Sequence, residues 1–224
     1  MIEKGSDYME KIKEMKEYFD DEAKKHDEFF IDELGLTEFY DEIEKVLNRY
    51  SDKCEILVLG CGSGLEVERI KFSSNVTGID LSDKMLEVLN KKKLNDRVNL
   101  TTICGSLLNI PFEKKKYDIV LSCYVMHHFN ENQKIEIYKK IYDCLNDGGV
   151  FINGDSFSKT IEEENTKMAT AKKIYDEQKL PFASLHIDVH FTFSHEQEVL
   201  NMVGFEKIEL IKEWTMSKIY VCSK

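Results

Sequence analysis

Two prolines in 224 residues, and no stretch rich in proline, glycine and serine together, leave the chain without a candidate linker. Internal repeats and low-complexity tracts are missing too. At this length the expected count is one α/β domain with additions. No apolar run reaches the roughly 20 residues that cross a bilayer, and the N-terminus lacks the apolar core of a signal peptide. A soluble, cytoplasmic protein is therefore expected. The six cysteines, Cys54, Cys61, Cys104, Cys123, Cys144 and Cys222, form no C-x-x-C pair. Most sit in or beside apolar runs and read as reduced thiols packed as small hydrophobes. Negative charge predominates. Acids outnumber bases to a net −11, and the basic runs are Lys91-Lys92-Lys93 and Lys114-Lys115-Lys116. An acidic chain repels phosphate backbones, so nucleic acid is not the expected partner.

What is present is enough apolar sequence for a core, 42% of residues, and one informative stretch. Ile56-Leu57-Val58-Leu59 has the apolar run of a strand buried on both faces of a parallel sheet. It ends in Gly60-Cys61-Gly62-Ser63-Gly64. Glycines there permit a sharp turn and a close ligand approach. A helix is expected next, from about Gly64 through Glu66, Val67 and Ile70, making a strand, glycine turn and helix N-terminus suited to a nucleotide-type ligand. The dinucleotide fingerprint fails, because its sixth position is Leu65 and not glycine, and no Gly-Lys-Ser/Thr of a phosphate loop follows. A second apolar strand, Val76-Thr77-Gly78-Ile79, ends on Asp80, an acid placed to accept both hydroxyls of a ribose.

Further strands are expected at Val98 to Ile103, Tyr117 to Ser122 and Val150 to Asn153. Between them, Ser82 caps a helix to about Leu94, and a helix runs from about Asn130 to Leu145 with Ile137, Tyr138 and Ile141 in period. Strand and helix alternating this way predict right-handed crossovers and a parallel sheet. An extra helix is expected over 160–179 and another capped by Ser194 and stopped by Gly204. A two-stranded hairpin should close the chain. Tyr8, Ile12, Met15 and Phe19 fall at the spacing of an N-terminal amphipathic helix, and Thr37 is expected to cap a helix through Leu47.

The motifs Leu57-Val58-Leu59-Gly60-Cys61-Gly62-Ser63-Gly64 and Gly78-Ile79-Asp80-Leu81-Ser82-Asp83-Lys84-Met85-Leu86 resemble those of the class I S-adenosylmethionine-dependent methyltransferases. The resemblance runs in the family's order through Ile103 to Phe112, Tyr117 to Phe129 and Leu145 to Phe151, to Val203-Gly204-Phe205. It covers about residues 36 to 224 and speaks to cofactor and fold more than to substrate. It implies a Rossmann-like, doubly wound, mostly parallel seven-stranded sheet with an antiparallel C-terminal strand. One domain over 1–224 is expected, with a helical cap from residues 1–34 and 155–193. By resemblance, the Gly60-Cys61-Gly62 backbone cradles the amino-acid end of S-adenosylmethionine and Asp80 takes the ribose hydroxyls. Leu81 and Met85 pack near the adenine, Ser106 and Leu107 contact it, and Cys123 opens a segment passing close to the methyl-bearing sulfur. The family pattern is broken at Val58, where an acid is usual, and at Ser106, where Asp or Asn is usual.

Methyl transfer needs an acceptor held in line with the S–CH₃ bond and, for a hydroxyl or amine acceptor, a base. His127 and His128, after the fourth strand, are the catalytic candidates. His26, Asp155 and His190 are expected in the substrate pocket. If Leu185 to Phe191 is extended, His186, Asp188 and His190 share one face. Two histidines and a carboxylate suit a divalent metal, but the polar side of an edge strand or cap loop, or a substrate-pocket wall, is preferred, and no metal is assigned. The expected function is transfer of a methyl group to a small-molecule acceptor. The alternatives are an RNA methyltransferase and a protein that binds S-adenosylmethionine without turnover.

Overall fold

The computed structural model describes residues 12–50 and 54–224. Its strands are β1 (Cys54–Leu59), β2 (Ser74–Asp80), β3 (Val98–Cys104), β4 (Tyr117–Cys123), β5 (Leu145–Ser156), β6 (Lys207–Glu213) and β7 (Ser217–Ser223). They form one sheet in the order β3-β2-β1-β4-β5-β7-β6. The first five pair in parallel, and β7 runs antiparallel to both β5 and β6. The Rossmann-like, mostly parallel sheet with an antiparallel C-terminal strand is therefore present. Chain order reverses between β1 and β4, and ligands in open α/β sheets bind at such a reversal, beyond the C-terminal strand ends.

The apolar runs become central strands because both faces are covered. Ile56 and Val58 of β1 enter one core with Ile119 and Leu121 of β4, under α3 (Thr37–Leu47). Leu57 and Leu59 enter the other, under α5 (Glu131–Cys144) and α7 (Phe193–Val203). Asn130 and Gln133 close a reciprocal capping box on α5. Ser82 caps α4 (Asp83–Leu89), as expected, by accepting from the Met85 N–H.

Several local expectations are corrected. The segment after Gly64 is no α-helix but a single 3₁₀ turn, Val67–Arg69. Leu65, Glu66, Val67 and Ile70 are all buried, and a surface helix cannot bury consecutive positions around its circumference. The glycine turn thus stands without a helix N-terminus behind it. Helix α4 stops at Leu89, short of Leu94. Thr192, not Ser194, caps α7, accepting from the His195 N–H, while Gly204 ends it at φ +116°. Helix α3 starts at Thr37 with no side-chain cap. Strand β5 is longer than its apolar core, because Leu145 already pairs with Tyr117.

Three pieces lie over the strand ends. Helix α1 (Met15–Glu22) is followed by the one-turn α2 (His26–Glu28), which runs into a π-helical turn at Phe29–Glu33. Tyr8 of the expected amphipathic helix lies outside the described residues. Helix α6 (Ile161–Gln178), capped by Thr160, precedes an irregular segment over 179–192. That segment is not the strand considered for Leu185 to Phe191; only Leu185 bridges, to Glu14.

Candidate active site

A cleft opens at the tips of β1, β2 and β4, with about 680 Å³ of space including its mouth. Gly60 and Gly62 form its back wall at φ +61° and +44°. A Cβ on Gly60 would stand 2.4 Å from a Val125 methyl, whereas Gly62 faces open space, with His26 the nearest side chain at 3.8 Å. The Gly62 N–H donates to Asp80 Oδ2 and the Ser82 N–H to Asp80 Oδ1, each at 2.8 Å. Asp80 therefore ties the glycine turn to the start of α4. Each carboxylate oxygen keeps a further acceptor site for a ligand hydroxyl. Burial raises the Asp80 carboxyl above its usual range, against the pull of these two donors. Leu81, Met85, Leu107 and Leu108 form an apolar wall beside it, and Gly105 and Ser106 complete that side. Two left-handed glycines, a buried acid at a strand tip and an apolar slot together fit a nucleoside carrying an amino-acid tail.

Other residues singled out in the sequence fall around this cleft. His26 lines it; its Nδ1 is 3.0 Å from Ser63 Oγ and its ring stacks on Phe30. Ser106 lines it too, its Oγ accepting from the Leu108 N–H. Cys61 does not reach in. Its N–H donates to the Ile79 carbonyl and its Sγ packs where a Gly78 side chain would be. Cys123 is buried in the core behind the cleft, and the wall at that point is Tyr124, held at φ +56°. A left-handed non-glycine residue at a ligand site is stored strain. The Tyr124 N–H donates to the Gly154 carbonyl and its hydroxyl meets Ser217 Oγ at 2.8 Å, which together hold it there.

Next to the cleft, four histidines and two aspartates converge. His127 and His128 sit on a 3₁₀ turn after β4. His127 Nδ1 is 2.5 Å from Asp155 Oδ1, and the His127 N–H donates to Asp155 Oδ2 at 3.2 Å. Asp155 stands on β5 because Cys123 and Gly154 are register partners. Burial lowers the His127 pKa, but the Asp155 carboxylate more than offsets it and the net shift is upward; Asp155 is held below its usual range by the same pairing, against its own burial. His128 lines the cleft, and burial pulls it down to about 4. Asp188 Oδ1 stands 3.6 Å from His127 Nε2 and 3.3 Å from His128 Nδ1. Burial raises the Asp188 carboxyl, yet the imidazoles beside it hold it well below the carboxylate range. His186 stacks on Tyr18 of α1, with ring centroids 3.5 Å apart. His190 lies beside His127, and its Nδ1 is 2.9 Å from Lys167 Nζ; burial lowers it to about 4. Thus Asp188 meets His127 and His128, while His186 and His190 flank them and do not share a face with it.

Sequence reasoning passed over two features. One is a latch. Asp20 accepts from the Ser82 hydroxyl at 2.6 Å, Asp27 from the Ser63 hydroxyl at 2.5 Å, and Lys16 pairs with Asp83. These tie α1 and α2 to the glycine turn and to α4. The charge-rich run 20–27 was the visible signal. The other is Glu66, buried beneath the glycine turn with Oε1 lacking a hydrogen-bond partner. A wider groove, about 1600 Å³ including its mouth, lies between Phe157, Thr160 and Glu213, but it touches neither the glycine turn nor Asp80.

Residues 56–149 match the family model of the methyltransferase domain. An uncharacterized methyltransferase of Oceanobacillus iheyensis is 29% identical over 140 residues, 62% of this chain; the chain spans 63% of that protein's length. A carboxy-S-adenosyl-L-methionine synthase of Campylobacter fetus is 23% identical over 223 residues, covering 92% of this chain and 90% of its own. In fold, the structure of DhpI in complex with SAH superposes with a TM-score of 0.70 at 14% identity, over 92% of this chain and 93% of DhpI. No helix among the described residues is long and apolar enough to cross a membrane. Residues 56–149 thus carry a methyltransferase domain, and these likenesses together support a class I S-adenosylmethionine-dependent methyltransferase with S-adenosylmethionine as its cofactor.

Proposed function

We propose that the protein transfers the methyl group of S-adenosylmethionine to a small-molecule acceptor that enters beside His128. The observation that carries this reading is the cover over the strand tips. The Met15 N–H donates to the Ser184 carbonyl at 2.9 Å, the His186 N–H to Lys13 at 3.1 Å, and the Val189 N–H to His127 at 2.7 Å. With the latch at Asp20 and Asp27, these bonds hold α1 and the 184–189 segment over the cleft. A macromolecule cannot bring a base or side chain into it without displacing both segments, whereas a small acceptor needs only a brief opening.

Gly60, Gly62 and Asp80 would hold the cofactor, with Leu81, Met85, Ser106 and Leu107 around its base. Bound there, the cofactor supplies an electrophilic sulfonium methyl. The chain's part is to exclude water, orient the acceptor and take its proton. Exclusion falls to Met15 and Phe19 of α1 and to Phe129, which line the chamber. Proton handling falls to the cluster around His127 and His128, with His26, Asp155 and His190 as the polar pocket wall. The His127 Nδ1–H donates to Asp155 Oδ1, which leaves Nε2 of the neutral ring as an acceptor on the side of Asp188. Release of S-adenosylhomocysteine with a panel of small hydroxy, amino and carboxylic acids tests the reading. Turnover on at least one acceptor, and none on transfer RNA, is the expected result. Tight cofactor binding without turnover on any acceptor would favour a binding protein instead, and turnover on RNA would overturn the small-acceptor assignment.

A further inference from the structure

We infer that His127, His128 and Asp188 form a binding site for a divalent transition-metal cation on the floor of the acceptor chamber. The inference rests on the reading that acceptors enter beside His128. It departs from the sequence expectation, which assigned no metal and grouped Asp188 with His186 and His190.

The argument starts from lone pairs. The His127 Nδ1–H donates to Asp155 Oδ1, so Nε2 of the neutral ring is an acceptor. Facing that nitrogen at 3.6 Å is Asp188 Oδ1, another acceptor. His128 Nδ1 stands 3.3 Å from the same oxygen, yet out of line for a hydrogen bond, and is a buried ring nitrogen with no hydrogen-bond partner among the described residues. Two nitrogens and a carboxylate oxygen thus point at one spot, all within 4.8 Å of one another. Acceptors facing each other repel unless a positive charge lies between them. One cation satisfies all three atoms together.

The spacing agrees with a shared ion. Ligand atoms held about 2.1 Å from one metal at angles of 90–120° stand roughly 3.0–3.6 Å apart. The two distances to Asp188 fall at or within these limits. Two imidazoles and one carboxylate with remaining positions open suit zinc, iron(II) and manganese(II) better than calcium or magnesium, which prefer oxygen. The outer partner is present as well: a carboxylate behind a ligating imidazole fixes its tautomer, which is the place of Asp155 behind His127. Asp188, half exposed, leaves an entry path. The open positions face the chamber that His128 lines. An acceptor oxygen, carboxylate or alkoxide, would complete the coordination there and be oriented toward the cleft.

The competing arrangement is a protonated His127 paired with Asp188 and no metal. Zinc titrated into untagged, chelator-treated protein distinguishes the two, followed by calorimetry and by the ring-nitrogen NMR shifts of the histidines. The expected result is saturable binding of about one zinc ion per chain, with the His127 and His128 ring signals moving and His195 unmoved. Asp188→Asn should weaken zinc at least about 30-fold while S-adenosylhomocysteine affinity stays within about twofold. If Asp188→Asn fails to bind S-adenosylhomocysteine, Asp188→Ser serves as the second variant with the same expectation. Absence of saturable zinc, or equal zinc affinity in a variant that still binds S-adenosylhomocysteine, overturns the metal site and leaves the methyltransferase reading intact. Loss of S-adenosylhomocysteine binding by the unaltered protein would instead overturn that reading.

Discussion

Asp80 bears more on the site than any other single side chain. In the site proposed above it takes the ribose hydroxyls, and it already holds the glycine turn and the start of α4 through the Gly62 and Ser82 N–H groups. Asp80→Ala removes both tasks. S-adenosylhomocysteine affinity, measured by calorimetry, should fall at least about tenfold, about 1.5–3 kcal/mol for charge-assisted hydrogen bonds. Asp80→Asn retains one acceptor oxygen and should fall less; unchanged affinity in both would remove Asp80 from the cofactor site. Ser106 shows how a residue can be placed in the right loop while its detailed contact stays local. It lines the cleft, but its hydroxyl bonds the Leu108 N–H and points back along its own turn.

Between elements, α5, α7 and β7 meet around a buried ion pair behind the acceptor chamber. Lys134 and Glu196, both almost fully buried, pair at 2.6 Å. The Tyr138 and Tyr220 hydroxyls donate to the same carboxylate, and Lys134 Nζ sits 3.9 Å over the Phe191 ring. Lys134→Met leaves Glu196 charged and unpaired and should cost about 3–5 kcal/mol in urea unfolding. Lys134→Met combined with Glu196→Leu should recover only part of that loss, because two tyrosine hydroxyls then lack an acceptor. A loss below about 1 kcal/mol in the single variant would mean that the pair is solvated. None of this was visible in the chain: Lys134 and Glu196 are 62 positions apart, and each looks like an ordinary surface charge on its own helix.

For the molecule as a whole, Glu66 couples stability to pH. Burial raises its carboxyl to about 8, opposed by its own backbone N–H and by Lys92, and assisted by Asp80 and Asp27; Cys61, Cys123 and Tyr40 are further titratable neighbours. The folded state therefore holds a proton that the unfolded chain releases near pH 4.5. Stability from this group is fully present below that pH and is lost as pH rises through about 8, by up to about 5 kcal/mol. The unfolding free energy of the cofactor-free protein should decline between pH 5 and 8.5, and Glu66→Gln should flatten the decline. Parallel pH profiles for the two proteins would show that Glu66 ionises freely in the folded state.

The strands, the sheet class and the glycine turn with Asp80 at a strand tip were legible along the chain because their causes are short-range. A short apolar run ending at Gly60 or Asp80 states its own burial and its own turn, and alternating strands and helices imply right-handed crossovers and a parallel sheet. The helix expected after Gly64 was not legible, because period alone cannot tell one buried face from a segment buried on every side. The histidine–aspartate cluster lay between these cases. Each member stood out in the chain, but Asp188 was grouped with its neighbours in sequence. The β4–β5 register brought Asp155 to His127, and the segment bonded to His127 through the Val189 N–H delivered Asp188 to both imidazoles. Local pattern specifies which residues are buried and where the chain turns. Which lone pairs face one another depends on contacts between elements far apart in the chain, and folding alone sets those.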